Sequence, residues 1–119
     1  MPHIIVEYTP NLQNLPFDAM LASVNQRLAQ SPEVGDEADL KARVIPAEHY
    51  RVGLADSGRG FIHVTIRIMA GRNEQAKQDF SQRVADGMLE HMPKFEGMTV
   101  HLSVDVVDME WASYRKVKL

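Results

Sequence analysis

The chain has 119 residues, a formal net charge of −3 and no cysteine. Its length suits one domain and is short for two. Its mild acidity argues against a general nucleic-acid binder, and the lack of thiols excludes disulfides and thiolate metal sites. No window approaches the roughly 18 apolar residues of a membrane span. The first residues lack the cationic stretch and long apolar core of a signal peptide, so the reading is a soluble, cytoplasmic protein.

Behind Met1-Pro2, the alternation in HIIVEY predicts a strand over 3–8. A helix is expected over 15–30, because Phe17, Met20, Leu21, Val24 and Leu28 recur on one helical face. Pro16 suits its first turn. The acidic stretch 33–39, with Pro32 and Gly35, reads as a loop. A second strand over 40–45 should stop at Pro46. The segment 47–60 (AEHYRVGLADSGRG) has weak periodicity and reads as a connection. FIHVTIRIM, over 61–69, is rich in β-branched residues and predicts a third strand. Ala70-Gly71-Arg72-Asn73 turns the chain, with Asn73 as the helix N-cap and Glu74 in its first turn. The second helix should run to about residue 92, before Pro93, with Ala76, Phe80, Val84 and Met88 on its apolar line. A fourth strand over 99–107 alternates Val100, Leu102, Val104 and Val106 against His101, Ser103 and Asp105.

A shift of sixty residues superposes the two halves. His3-Ile4-Ile5-Val6 falls on His63-Val64-Thr65-Ile66, and Met20, Val24 and Leu28 fall on Phe80, Val84 and Met88. Leu40, Ala42 and Val44 fall on Val100, Leu102 and Val104. The expectation is a single domain of α+β class, a two-layer sandwich made from two βαβ units of about 1–60 and 61–119. Each unit would have a right-handed crossover. Together they would give a four-stranded sheet with two helices on one face. The other sheet face would be uncovered, and apolar side chains there would need a partner such as an identical subunit.

The repeat breaks at Pro2, which falls on Ile62. Loss of Met1 would make Pro2 a terminal secondary amine. Partial burial and nearby cations both lower an amine's pKa. A neutral amine can take a proton and return it elsewhere. Such chemistry leaves electrons on a carbonyl, where cations and N–H donors stabilise the charge. Two arginines suit that task. Arg72 stands at the turn into the second helix, whose N-terminus favours anions. Arg43, on the second strand, shares a face with Lys41 and Ile45, opposite Leu40, Ala42 and Val44. Guanidinium grips a carboxylate in two-pronged fashion.

Met1-Pro2-His3 followed by an apolar strand, with AGR at the second strand-to-helix turn, resembles the tautomerase superfamily. Within it the likeness is to the 5-carboxymethyl-2-hydroxymuconate isomerases, over essentially the whole chain: PHIIVEY, LKARVIP, FIHVTIRIMAGR and VHLSVDVVDM. AGRNEQAK and ARVIPAE are also similar to segments of the shorter 4-oxalocrotonate tautomerases, which hold a single βαβ unit.

The resemblance implies a tautomerase fold packed as a homotrimer, the sheets lining a central core, with no cofactor and no metal. Pro2 would be the catalytic base, and Arg72 would bind a substrate carboxylate and draw electron density. Arg43 would be a second arginine, reaching the same site or a neighbour's. Lys41 would supply a further cation, keeping the charge but not the fork. Trp111 and Tyr114 are alternative substrate-lining aromatics. The implied reaction converts a 2-hydroxymuconate dienol carrying two or three carboxylates to its 2-oxo-3-ene isomer, in homoprotocatechuate degradation from 4-hydroxyphenylacetate. The alternatives are another tautomerase-superfamily activity, on a 2-oxo acid or haloacrylate, and a non-catalytic oligomeric binding protein on the same scaffold.

Other groups yield weaker readings. The five histidines show no HExxH-like spacing, and His3, His63 and His101 read as packing or hydrogen-bonding residues. Asp105, Asp108 and Glu110 match no cation loop and read as a solvated strand end. Arg115, Lys116 and Lys118 read as a solvent-exposed basic tail. GRG at 58–60 precedes a strand and is no phosphate loop.

Overall fold

Alternating apolar residues give four strands and helical spacing gives two helices. The computed structural model describes residues 1–119. In chain order the elements are β1 (His3–Tyr8), α1 (Phe17–Ala29), β2 (Lys41–Pro46), β3 (Arg59–Met69), α2 (Glu74–Glu90) and β4 (Thr99–Met109). A 3₁₀ turn at Glu37–Asp39 precedes β2. The strands form one sheet in the order β2-β1-β3-β4. β1 runs parallel to β2 and β3 parallel to β4, while β1 and β3 are antiparallel at the centre.

The boundaries differ from the sequence reading where local chemistry intervenes. Pro16 is the N-cap of α1 rather than part of its first turn, and its carbonyl accepts from the Met20 N–H at 3.0 Å. Within the acidic stretch, the Asp36 side chain accepts from the Ala38 N–H at 3.0 Å and caps the 3₁₀ turn. β2 includes Pro46, the residue at which it was expected to stop, paired with Tyr8. β4 continues two residues past Val107, because Asp108 and Met109 pair with Ile68 and Met69. The ladders also adjust the internal comparison. His3 pairs with Lys41 and His63 pairs with Ser103, so β2 maps onto β4 with a shift of about 62 rather than 60. An even difference leaves each residue on the same face.

One sheet face carries the core. Ile4 and Val6 of β1, with Ile62, Val64, Ile66 and Ile68 of β3, are fully buried against Met20, Val24 and Leu28 of α1 and Phe80, Val84 and Met88 of α2. Ala42 and Val44 on β2, and Val100, Leu102, Val104 and Val106 on β4, flank it on the edge strands. The opposite face is more polar than expected. Ile5, Ile45, Phe61 and Val107 stand there among His3, Glu7, Lys41, Arg43, His63, Arg67, His101 and Asp105.

The helices cross closely at Gly87. A Cβ there would lie 2.9 Å from the Val24 Cα, a backbone atom that cannot rotate away. Gly87→Ala should therefore destabilise the fold by about 2 kcal/mol, against alanine's higher helix propensity. Equilibrium urea unfolding would show it as a lower midpoint at unchanged slope. Two polar ties lock the same layer. Arg83 on α2 donates from Nη1 to the Arg27 carbonyl at the end of α1, at 3.0 Å. The Ser23 hydroxyl and Arg27 both donate to the Glu90 carboxylate, which holds Glu90 below its usual carboxyl range. No helix is long and apolar enough to cross a membrane.

Candidate active site

The topology collects the sequence-selected residues at one end of the sheet. β1 and β2 begin there, because they run parallel in register. β3 and β4 end there, and their exits lead into the Arg72 turn and the segment after Met109. Pro2 is buried, and its carbonyl accepts from the Lys41 N–H at 3.1 Å. The chain's terminal amine, on Met1, is held below its ordinary value. Burial is the main cause. Lys41, Lys116 and Arg72 lower it further, and Asp39 opposes them.

Arg72 is fixed from several sides. Its Nη1 donates to the Met69 carbonyl at 3.1 Å and its Nη2 to the Glu33 carbonyl at 3.4 Å. The guanidinium carbon lies 5.9 Å from the Phe80 ring centroid, within cation–π range. Nε is 3.3 Å from the Glu33 carboxylate, but the angle is poor, so the buried Nε–H is an ion-pair neighbour without a hydrogen bond. Each Nη carries two N–H groups, so one on each remains for a ligand. Gly71, at φ 119°, permits the backbone of this turn. Asn73 caps α2 by accepting from the Ala76 N–H at 2.9 Å.

Arg43 is exposed and reaches across to β1, where its Nη1 lies 3.1 Å from His3 Nδ1. Guanidinium only donates, so Nδ1 accepts and the proton of the neutral ring sits on Nε2. That N–H points to the Tyr114 hydroxyl at a long 3.4 Å. Lys41 donates from Nζ to the carbonyls of Ala38 and Asp39, at 3.5 and 3.4 Å. Trp111 donates its indole N–H to the Ala70 carbonyl at 2.9 Å, beside the Arg72 turn, and leaves much of its ring exposed. The two aromatics thus reach different walls, Trp111 that turn and Tyr114 the start of β1.

The basic tail is not all solvated. Lys116 Nζ pairs with Asp39 Oδ1 at 2.8 Å. Nor is the acidic end of β4, where Asp108 pairs with Lys77 at 3.0 Å. The sequence shows Glu33 and Asp39 only as the ends of an acidic loop and Lys116 only as part of a basic tail; their partners lie too far along the chain for any local signal. A hollow of about 330 Å³ between Arg67, Asp108 and Tyr114 flanks this end. Another of about 370 Å³ lies at the opposite end, among Asn11, Tyr50, Arg51 and Arg59 in the 47–60 connection. Neither has Pro2 in its lining.

His3 gives this end a pH signature. Burial first, then Arg43, the terminal amine, Lys41 and Arg67, hold its imidazole below the ordinary 6.5. The unfolded chain takes a proton near 6.5 and the folded chain resists it. The resulting stability is full above 6.5 and is lost as pH falls through the lowered folded value. Urea midpoints should decline as pH drops below 6.5, and His3→Gln should remove that part of the slope.

A two-layer βαβ-βαβ sandwich with cations around the chain start defines the tautomerase fold class. Solved structures agree. A 5-carboxymethyl-2-hydroxymuconate isomerase from Deinococcus radiodurans R1 superposes with a TM-score of 0.88 at 23% identity, covering 99% of this chain and 90% of that one. A 5-carboxymethyl-2-hydroxymuconate delta-isomerase gives 0.80 at 21%, covering 100% and 88%. A fused 4-OT, described as an asymmetric trimer, gives 0.73 at 12%, covering 97% and 92%. At these identities the likeness is one of fold. No curated protein matches the sequence significantly. The model of the 5-carboxymethyl-2-hydroxymuconate isomerase family matches residues 2–118, and the chain belongs to that family. It is an isomerase of tautomerase type.

Proposed function

We propose that the protein ketonises a 2-hydroxymuconate-type dienol, 5-carboxymethyl-2-hydroxymuconate foremost, using Pro2 as base and acid after loss of Met1. The neutral ring nitrogen takes the proton of the 2-hydroxyl. The O–H electrons form the C2 carbonyl, the double bonds shift along the diene, and the far carbon receives the proton from the prolinium. The free N–H groups of Arg72 grip a carboxylate and stabilise charge on the developing dienolate. Arg43 and Lys41 hold the remaining carboxylates, while Trp111 or Tyr114 lines the conjugated chain. No cofactor takes part, and the setting is cytoplasmic degradation of homoprotocatechuate.

The observation that carries this reading is the chain start itself: the amine of Met1, next to Pro2, is partly buried and set among the cations Lys41, Lys116 and Arg72, with Asp39 opposing them. Burial, Lys41, Lys116 and Arg72 all favour its neutral form. Family membership supports the reaction class.

We also propose a homotrimer. The lone chain exposes 7679 Å², whereas a compact monomer of 13.4 kDa exposes about 6,500 Å². Its radius of gyration is 15.3 Å against about 13.5 Å for this length. The excess surface fits a subunit shaped for neighbours.

The test is a spectrophotometric ketonisation assay on a small panel of hydroxymuconates, with intact mass to establish the terminus. Turnover by protein starting at Pro2 is the expected result. Equal turnover by protein that keeps Met1 would exclude the ring nitrogen as the base, and binding without turnover would favour a non-catalytic binding protein.

A further inference from the structure

We propose that Lys116 is a positioning residue for the site: by holding the Asp39 carboxylate, it keeps that negative charge from capturing the terminal amine. The proposal rests on the reading of Pro2 as the base.

The segment after β4 folds back over the site end of the sheet. Trp111 is tied to the Ala70 carbonyl, Tyr114 reaches His3, and Lys116 reaches Asp39. Asp39 closes the 3₁₀ turn, two residues before Lys41. Lys41 in turn binds the Pro2 carbonyl and pairs in register with His3. The Asp39 carboxylate therefore stands beside the start of the chain. With Met1 in place, Asp39, Lys41, Lys116 and Arg72 act on its amine, and of these four Asp39 alone favours the charged form.

Lys41 gives that anion only a weaker through-space pull, because its ammonium is turned to the Ala38 and Asp39 backbone carbonyls. Lys116 pairs with it directly, at 2.8 Å. The coupling is mutual. Lys116 is the main cause of the lowered Asp39 carboxyl, and Asp39 is the main cause of the raised Lys116 ammonium. Without Lys116, Asp39 would face the amine as an unpaired carboxylate and favour its protonated, non-basic form.

The experiment measures the amine directly, through the pH dependence of reductive methylation at the N-terminus read by peptide mass, alongside pH profiles of kcat/KM. Lys116→Gln should move the amine's titration to higher pH and move the acid limb of kcat/KM with it. The rate at pH 7 should then fall roughly two- to fivefold and recover at alkaline pH. Lys116→Arg should behave like the wild type. Asp39→Asn should move the titration the other way, and gives a second reading if Lys116→Gln folds poorly. An unmoved amine titration in both Lys116→Gln and Asp39→Asn, or a loss uniform across pH, would overturn the proposal. A titration that moves while the acid limb stays fixed would uphold the action of Lys116 on the amine and sink the assignment of Pro2 as base.

Discussion

Pro2→Ala, with Met1 removed, should lower kcat for dienol ketonisation by about a hundredfold, within the range that a positioned acid–base group contributes. Alanine leaves a primary amine, so a base survives. What is lost is the ring that fixes the lone pair along one line and the shape that fills the buried position of Pro2. The residual rate should still show an amine-like acid limb, because alanine keeps a terminal amine. Circular dichroism should be unchanged, since β1 begins at His3 and its ladders to β2 and β3 do not depend on the ring. Turnover equal to the wild type would remove proline from the mechanism.

Arg72→Ala should lower kcat/KM by about 10²–10³, the loss typical of removing a donor to developing negative charge. The loss should appear in kcat if the guanidinium stabilises the dienolate, and in KM alone if it holds the carboxylate equally throughout; the first is expected. Alanine also deletes the bonds to the Met69 and Glu33 carbonyls and the contact with Phe80, so a melting curve must accompany the kinetics. Arg72→Lys separates the two roles. It keeps the charge opposite Glu33 but not the fork, and should recover stability more fully than rate.

The order of strands and helices was legible because apolar periodicity is a local property. Phe80, Val84 and Met88 mark one face of α2 whatever they pack against, and Ile62, Val64, Ile66 and Ile68 mark one face of β3. The ends of elements were less legible, because partners decide them. β4 gains Asp108 and Met109 only because β3 extends alongside, and the 3₁₀ turn forms only because Asp36 caps it. The polar character of the open face could be read from alternation once the strands were assigned, but its histidines and arginines carried no pattern of their own.

The candidate site divides in the same way. Pro2, Lys41, Arg43 and Arg72 were visible as residue types at the starts and ends of elements, and the topology brings those ends together. The ties around them span the chain: His3 to Tyr114 over 111 positions, Asp39 to Lys116 over 77, Arg72 to Glu33 over 39. No spacing rule connects such pairs, so a loop and a tail that read as solvated turn out to be wired to the site.

The indole of Trp111 has a practical consequence. It is the chain's one tryptophan, largely bare to solvent, and its N–H is bound to the peptide beside the Arg72 turn. Its emission is therefore a resident optical gauge of that wall. Carboxylate ligands that grip Arg72 should perturb its intensity or colour, so occupancy can be followed in silent variants that turn nothing over.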